Sequence, residues 1–574
     1  GAIAFTFSAK SFAHIGAGHL SLIYAVSWTP WFLKTYFSSF NKNNKFYWII
    51  PGLFLGLILL ADLRWSIPFF LIWVFSIFYF GPLSKEKIQS TMLVLLTGLL
   101  ASIAVWLPLL QLLPYTSRSY LSSSEQMIFS MTLVDYLNLF FPVFEGSAEV
   151  RIYPGAIVIL LVVIAITLIH KQSRLKFWFL LLIISFVFSL GENFPGINLI
   201  FNLPGFSLTR VPGRFGFPLS FALIMIASIT LDDLIKKPNN YSKKCSLLIL
   251  FSVYVFVMIF SVGAMLVSKK ISFHFIWPLI IFSLSFFWIV TFVKYHQMPK
   301  ILHYIFVLLI FADLLIINDL TLRFENPDEI LKQNTELIEE IQKDTSMFRV
   351  YTPSYSVSQE EGAFWGIKQV NGVDPIQLKD YLVFFEEASG VPNKNYSVTL
   401  PPFESGNPTI DNIGYCPNLK LLEELNTKYV ITSYPMNHCF DILPTKVADV
   451  YLYQISTEQN YLKYLDCKEE KTLLSSQKYS PNQIEFTTNS CGGNLQISEI
   501  NYPGWNIYLD GVKSSFYPDT LLRRVYVPEG EHHIKMVYQP VLLIISVVCQ
   551  TVVWLLAFGI IWNFLLRKNE KACL

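Results

Sequence analysis

The chain has 574 residues, of which 53% are hydrophobic and 16% aromatic, while only 15% are charged. An average soluble domain carries about 25% charged residues, so this composition excludes an ordinary soluble enzyme and points to a membrane. Lys and Arg total 43 against 41 Asp and Glu, a net charge of +2, which supplies no field for nucleic acid, and no nucleic-acid partner is expected.

Gly1–Ser8 (GAIAFTFS) reads as the end of an apolar helix already under way, and the chain opens on Gly rather than Met, so an N-terminal truncation is expected. Eleven apolar spans follow, at roughly 20–40, 46–62, 65–81, 88–113, 154–170, 174–190, 214–232, 246–267, 273–293, 301–318 and 541–566. A hydrocarbon core of about 30 Å needs roughly 20 apolar residues per helix. The last span has 26 residues without a charge, longer than a soluble-core helix runs without a polar face. Trp28, Trp31, Trp48 and Trp65 fall near span ends, as an interfacial aromatic belt would place them.

The connections alternate in basic charge. One set holds sixteen Lys and Arg, among them Lys42, Lys85, Lys171 and Lys237; the other holds seven, among them Arg64, Arg118, Arg210 and Arg214. The positive-inside rule makes the richer set cytoplasmic. The expected architecture is therefore a polytopic α-helical membrane domain over 1–320, an extracytoplasmic α/β domain over 321–540, and a final transmembrane helix with a cytoplasmic tail over 541–574.

Within the exterior domain, 325–347 has helical spacing with charges of both signs, and FRVY (348–351) and KYVIT (428–432) resemble buried strands. From about 482 the pattern is β, punctuated by Cys491-Gly492-Gly493, Asp510-Gly511 and Pro528-Glu529-Gly530, which predicts a small β-sandwich with a tight hairpin at Asp-Gly. In Tyr502-Pro503-Gly504-Trp505 the Pro-Gly predicts a turn, and Trp505, heading an alternating strand, is expected in the core. Cys416, Cys439, Cys467 and Cys491 allow three pairings or remain free thiols, and their spacing suits no zinc site, so no metal is expected.

No GxGxxG, P-loop, HExxH or GxSxG is present. A polar set instead lies at span ends on the exterior side: Gly18-His19, Asp62-Leu63-Arg64, Tyr153-Pro154-Gly155 and Arg210-Val211-Pro212-Gly213-Arg214. Lipid phosphates lie at that depth, and the planar guanidinium fork suits them. A lone arginine or histidine there is more often an anchor that snorkels; the Arg210–Arg214 pair around a rigid Pro-Gly favours a ligand. Arg210, Arg214, Arg64 and His19 are thus the expected phosphate-binding residues, and Asp62 and Tyr153 the expected lining of a substrate cavity.

These residues carry a resemblance. The Gly18-His19 pair followed by Trp28-Thr29-Pro30, the RVPGRF at 210–215, Ala312-Asp313-Leu314, NGVDP at 371–375, YPGW at 502–505 and the closing RRVYVPEGEHHIKMVYQP at 523–540 are similar to bacterial YfhO-type membrane proteins, relatives of the GT-C glycosyltransferases, over nearly the whole chain. The resemblance implies a GT-C-like helix bundle in a bacterial cytoplasmic membrane. It implies transfer of a sugar from a polyprenyl-phosphate donor to an envelope glycan such as teichoic acid on the exterior face, with no cofactor assigned. The catalytic carboxylate of such enzymes lies in the first exterior loop, upstream of Gly1, so no general base is named here. A non-catalytic envelope scaffold or glycan-binding protein is the alternative. A transporter is disfavoured by the lack of clear paired broken helices or an internal repeat.

Overall fold

The computed structural model describes residues 1–40, 45–79, 84–142, 147–170, 172–203, 210–236, 243–270, 272–295, 300–322, 324–456, 461–466 and 475–570. Lys42, Lys171 and Lys237, which contribute to the charge alternation, and Cys467 lie outside the described residues. The chain divides into two compact units, one of Gly1–Trp106, Ser122–Phe324 and Val547–Leu574, the other of Leu107–Leu121 and Glu325–Ser546.

The first unit is helical. Among the described residues, five unbroken helices are long and apolar enough to cross a membrane: Ser173–Asn193, Pro212–Lys236, Ser246–Ser268, Phe273–Val293 and Val541–Asn563. Counting each bent pair as one span raises this to seven, fewer than the eleven separate runs in the sequence. Several of the eleven runs take a more particular form. The runs at 46–62 and 65–81 form one bent pair, Ile49–Ala61 and Leu63–Tyr79, with a 116° bend. That is more than a right angle, so the chain turns back at Asp62 and both legs leave the apex on the same side. The run at 88–113 is broken by 72° between Ala101 and Ile103. Ala156–Ile166 is only 11 residues long. It is buried nearly all round, as a helix without a polar face must be when other helices surround it. Val541–Asn563 is the least buried of the five long helices, the condition expected of a lipid-facing one.

The second unit holds two principal sheets. In the first, strands run in the order Arg349–Tyr351, Thr427–Thr432, Val450–Gln454, Thr445–Val447, with the first pair parallel and the others antiparallel. Thr427–Thr432 is buried on both faces. Val430 packs in a core with Phe385 and Ala388 of the helix Lys379–Ser389. Tyr429 and Ile431 pack in another with Leu337, Ile338 and Ile341 of the helix Thr335–Gln342. The two-residue side-chain period thus produces a helix–sheet–helix sandwich.

The second sheet departs from the sequence expectation. Cys491-Gly492-Gly493 and Pro528-Glu529-Gly530 do not separate strands; they lie inside two long antiparallel strands, Gln483–Ile500 and Leu522–Tyr538. The two punctuation points face each other in register, Glu529 opposite Cys491 and Val527 opposite Gly493. The ribbon bends there instead of ending. Phe486 and Leu495 would stand about 30 Å apart on a straight strand, yet both belong to one core with Val527 and Ile534. Their parity along the strand differs, so the ribbon also turns its opposite face inward, which the strong twist of two-stranded ribbons permits. One sheet of six strands, with Leu462–Tyr464, Ser475–Ser480, Trp505–Leu509 and Val512–Ser514 added, encloses this core. The Asp510-Gly511 hairpin forms as expected: both residues have positive φ (49° and 83°), and Leu509 pairs Val512, the signature of a type I′ turn.

Trp505 sits against this core, and the guanidinium of Arg523 lies 3.8 Å over its ring. One face of the indole is thus occupied by the guanidinium. Cys416 and Cys439 form a disulfide, and Cys491 is disulfide-bonded as well.

Candidate functional site

The most unusual chemistry in the helical unit is a buried cluster of charges. It begins at the short helix Ala9–Gly16. Lys10 and His14, four residues apart, occupy one face of that helix, and both side chains are completely buried. The helix is anchored at its start by a hydrogen bond from Ala9 N–H to the Tyr153 carbonyl (3.2 Å). At its end Gly18 takes φ +74°, and the chain folds back so that His19 N–H donates to the His14 carbonyl at 2.8 Å. The two imidazole rings then lie 5.5 Å apart.

Glu149, from the turn Ala148–Val150, is the centre of the cluster. Its Oε2 accepts from Lys10 Nζ at 3.2 Å and lies 3.1 Å from His14 Nε2, while its Oε1 accepts from Arg214 Nε at 3.4 Å. Lys10 Nζ also donates to the Glu149 carbonyl (2.7 Å) and the Gly213 carbonyl (3.0 Å). His14 Nδ1 lies 2.9 Å from the Lys10 carbonyl. Gly213 has to be glycine for this approach: a Cβ there would stand 2.9 Å from the Phe129 carbonyl oxygen and 3.0 Å from Glu149 Cβ. Just before it, Val211 has φ +71°, a left-handed conformation that is strained for a β-branched residue. Val211 N–H bonded to Gln126 O and Gly213 N–H bonded to Phe129 O hold it there.

Burial raises the pKa of Glu149, but the opposing charge of Lys10, the His14 hydrogen bond and Arg214 outweigh it and hold the carboxyl well below the usual range. Burial lowers Lys10 to about 8, with Glu149 only partly restoring it. Burial and the neighbouring Lys10 charge lower His14 to about 4.

The sequence-derived residues distribute as follows. Arg214 is a direct partner of Glu149. Arg64 pairs with Asp62 through Nε and Nη2, and Ser21 Oγ donates to the same carboxylate at 2.9 Å. Ser21 stands two residues after His19, so the Gly18-His19 and Asp62–Arg64 segments adjoin. Asp62, Arg64, Glu149 and Arg214 all act electrostatically on His19, and Arg64 acts on Arg214. Arg210 stands half-buried at the start of the turn leading to Arg214. Tyr153 is placed elsewhere: its side chain is buried and its hydroxyl donates to Asp313 (2.9 Å), which also accepts from Trp277 Nε1 and Ala156 N–H. Its link to the cluster is the backbone bond to Ala9.

Lys10, His14 and Glu149 are the functional candidates that sequence reasoning missed. One signal was available: Lys10 and His14 lie on one helical face within an otherwise apolar stretch, where ionisable groups are expensive without partners. Nothing local to Glu149 marks it.

Taken together, three cations (Lys10, Arg64, Arg214) meet two carboxylates (Asp62, Glu149), leaving an excess of one positive charge when the histidines are neutral. Side-chain exposure is graded from zero at Lys10 and His14, through 14% at Arg214, to 37% at Arg64. The accessible edge of the cluster is therefore its arginine edge, and that edge can receive an anion. The two carboxylates are committed to cations, so neither is a good proton acceptor. Donor atoms of His14, His19 and Glu149 also lie within 4.8 Å of one another. The other such group among the described residues, Cys416, His438 and Cys439, has its two sulfurs joined in the disulfide.

No protein-family model, no curated protein and no solved structure matches this chain.

Proposed function

We propose that this protein is a GT-C-like membrane glycosyltransferase, of the YfhO type its sequence resembles, that transfers a sugar from a polyprenyl-phosphate donor to an envelope glycan on the exterior face of a bacterial membrane. The observation that carries the reading is the arginine edge of the buried cluster, where Arg64 and Arg214 neighbour a carboxylate-compensated interior and remain partly open. The leaving polyprenyl phosphate gains charge as the sugar–oxygen bond breaks, so a cation there favours the transition state over the ground state. The disulfide Cys416–Cys439 supports an oxidising, extracytoplasmic setting for the second unit. Glu149 is not assigned as the base: a carboxylate held by Lys10, His14 and Arg214 has little affinity for the acceptor's proton. Among the described residues the cluster holds no uncommitted carboxylate, and this favours the second reading, an envelope scaffold or glycan-binding protein.

Arg64 provides the cleaner test, because its contacts are to Asp62 and Ser21 at the rim, whereas Arg214 also braces Glu149. Losing one charge-assisted contact to a desolvated phosphate costs roughly 1.5–3 kcal/mol, or about one to two decades in rate. Arg64→Ala in the full-length protein is expected to cut envelope-glycan glycosylation about ten- to hundred-fold per folded molecule in the membrane. Arg64→Lys should recover part of it, keeping the charge but not the fork. Normal glycosylation by Arg64→Ala at parental abundance would overturn the donor-phosphate assignment.

The exterior location has its own test. Val512, beside the Asp510-Gly511 turn, is 72% exposed. Val512→Cys should gain labelling by a membrane-impermeant thiol reagent on intact cells, relative to the parent protein. Labelling that appears only after permeabilisation would place the second unit in the cytoplasm.

A further inference from the structure

We propose that His14 Nε2, His19 Nδ1 and Glu149 Oε2 bind a divalent transition-metal ion of the zinc type, independently of any glycosyltransfer. The argument starts from a shortage of protons. Both ring nitrogens of His14 face oxygen acceptors, Nδ1 the Lys10 carbonyl at 2.9 Å and Nε2 the Glu149 carboxylate at 3.1 Å. A neutral imidazole has a single N–H. Whichever tautomer forms, one of these contacts sets a nitrogen lone pair against an oxygen lone pair unless a further cation is shared between them.

A proton on His14 would satisfy that contact but nothing else. His19 Nδ1 is buried and has no hydrogen-bond partner, and a ring nitrogen of His19 lies within 4.8 Å of a ring nitrogen of His14 and a carboxylate oxygen of Glu149. A metal ion satisfies all three at once. Two imidazoles and one carboxylate form an established zinc donor set, with a fourth position open to water or another ligand. Bonds of about 2.0–2.2 Å to the metal place neighbouring ligand atoms a little over 3 Å apart. The His14–Glu149 distance already has that value, and only His19 has to close in. The Nδ1–H to backbone carbonyl bond of His14 is also the usual way in which a metal-bound histidine is oriented.

Lys10 is the competing cation on Glu149 Oε2. It does not depend on that oxygen alone, since the carbonyls of Glu149 and Gly213 accept from it at 2.7 and 3.0 Å. Arg214 is bonded to the other oxygen, Oε1. The carboxylate can therefore turn Oε2 to a metal while both cations keep partners.

The test uses full-length protein purified in detergent, stripped with chelator, and dialysed against Zn2+ with metal counted by mass spectrometry. One zinc per chain is expected. His14→Gln and His19→Gln should each lose stoichiometric binding, while His274→Gln and His438→Gln, remote in sequence from these ligands, should retain it. Co2+ in place of zinc should show the visible d–d absorption of a tetrahedral nitrogen–oxygen site, and should lose it in His19→Gln. His19 is the least buried ligand and His19→Gln is expected to elute and melt as the parent does. Folded parent protein that binds no zinc, or zinc retained by both His14→Gln and His19→Gln, would overturn the proposal.

Discussion

Glu149→Gln is expected to destabilise the helical unit by about 3–5 kcal/mol, the range seen when one partner of a buried ion pair is removed. The reason is the environment it leaves behind. Lys10 is completely buried and Arg214 mostly so, at 14% exposure, and in Glu149→Gln their charges lose the carboxylate that offsets them. The loss should read as a lower melting temperature in detergent and a smaller monodisperse fraction. Lys10→Met added to Glu149→Gln should restore part of the loss, because the second substitution removes a charge that the first left unpaired. The pair is then strongly non-additive, as contacting members of one network are. A Glu149→Gln protein that melts with the parent would mean that the cluster contributes nothing to the fold, and the geometry around Glu149 would lose its structural explanation.

The second large effect is expected in the other unit. Cys416 and Cys439 are 23 residues apart in sequence, and closing a loop of that size stabilises by about 3 kcal/mol through the unfolded chain. The bridge also lies in a segment with little regular secondary structure. Around it, Asn418 N–H bonds to the Ala388 carbonyl at the end of Lys379–Ser389, and Asn418 caps the helix Leu419–Glu424. Cys416→Ala with Cys439→Ala should lower the denaturant midpoint of this unit without shifting that of the helical unit. Alkylation of the native parent should leave both residues unmodified until reductant is added. Ready alkylation without reductant, or an unchanged midpoint in the double variant, would contradict it.

How much of this was legible beforehand depends on the range of the forces involved. Apolar runs mark helices because burial is decided residue by residue along the chain, and Asp510-Gly511 marks a hairpin because two positive φ values are a local demand. The same local reasoning failed at Cys491-Gly492-Gly493 and Pro528-Glu529-Gly530. Each reads as a turn alone, but their pairing across the ribbon converts two breaks into one bend. Hydropathy separated the runs at 46–62 and 65–81, but it carries no information on the 116° angle between them.

By itself the sequence determined that the chain is built around apolar helices with a separate, largely β, polar unit, and it marked His19, Asp62, Arg64 and Arg214 as polar groups at helix ends. Only the tertiary structure decided that these four share one electrostatic neighbourhood, that Tyr153 belongs instead with Asp313, and that Lys10, His14 and Glu149 form the interior of the cluster. Glu149 lies 139 residues from Lys10, 135 from His14 and 65 from Arg214. A buried charge is tolerated only through the partner it meets, and that partner is supplied by the packing of remote segments, a property no window of the sequence contains.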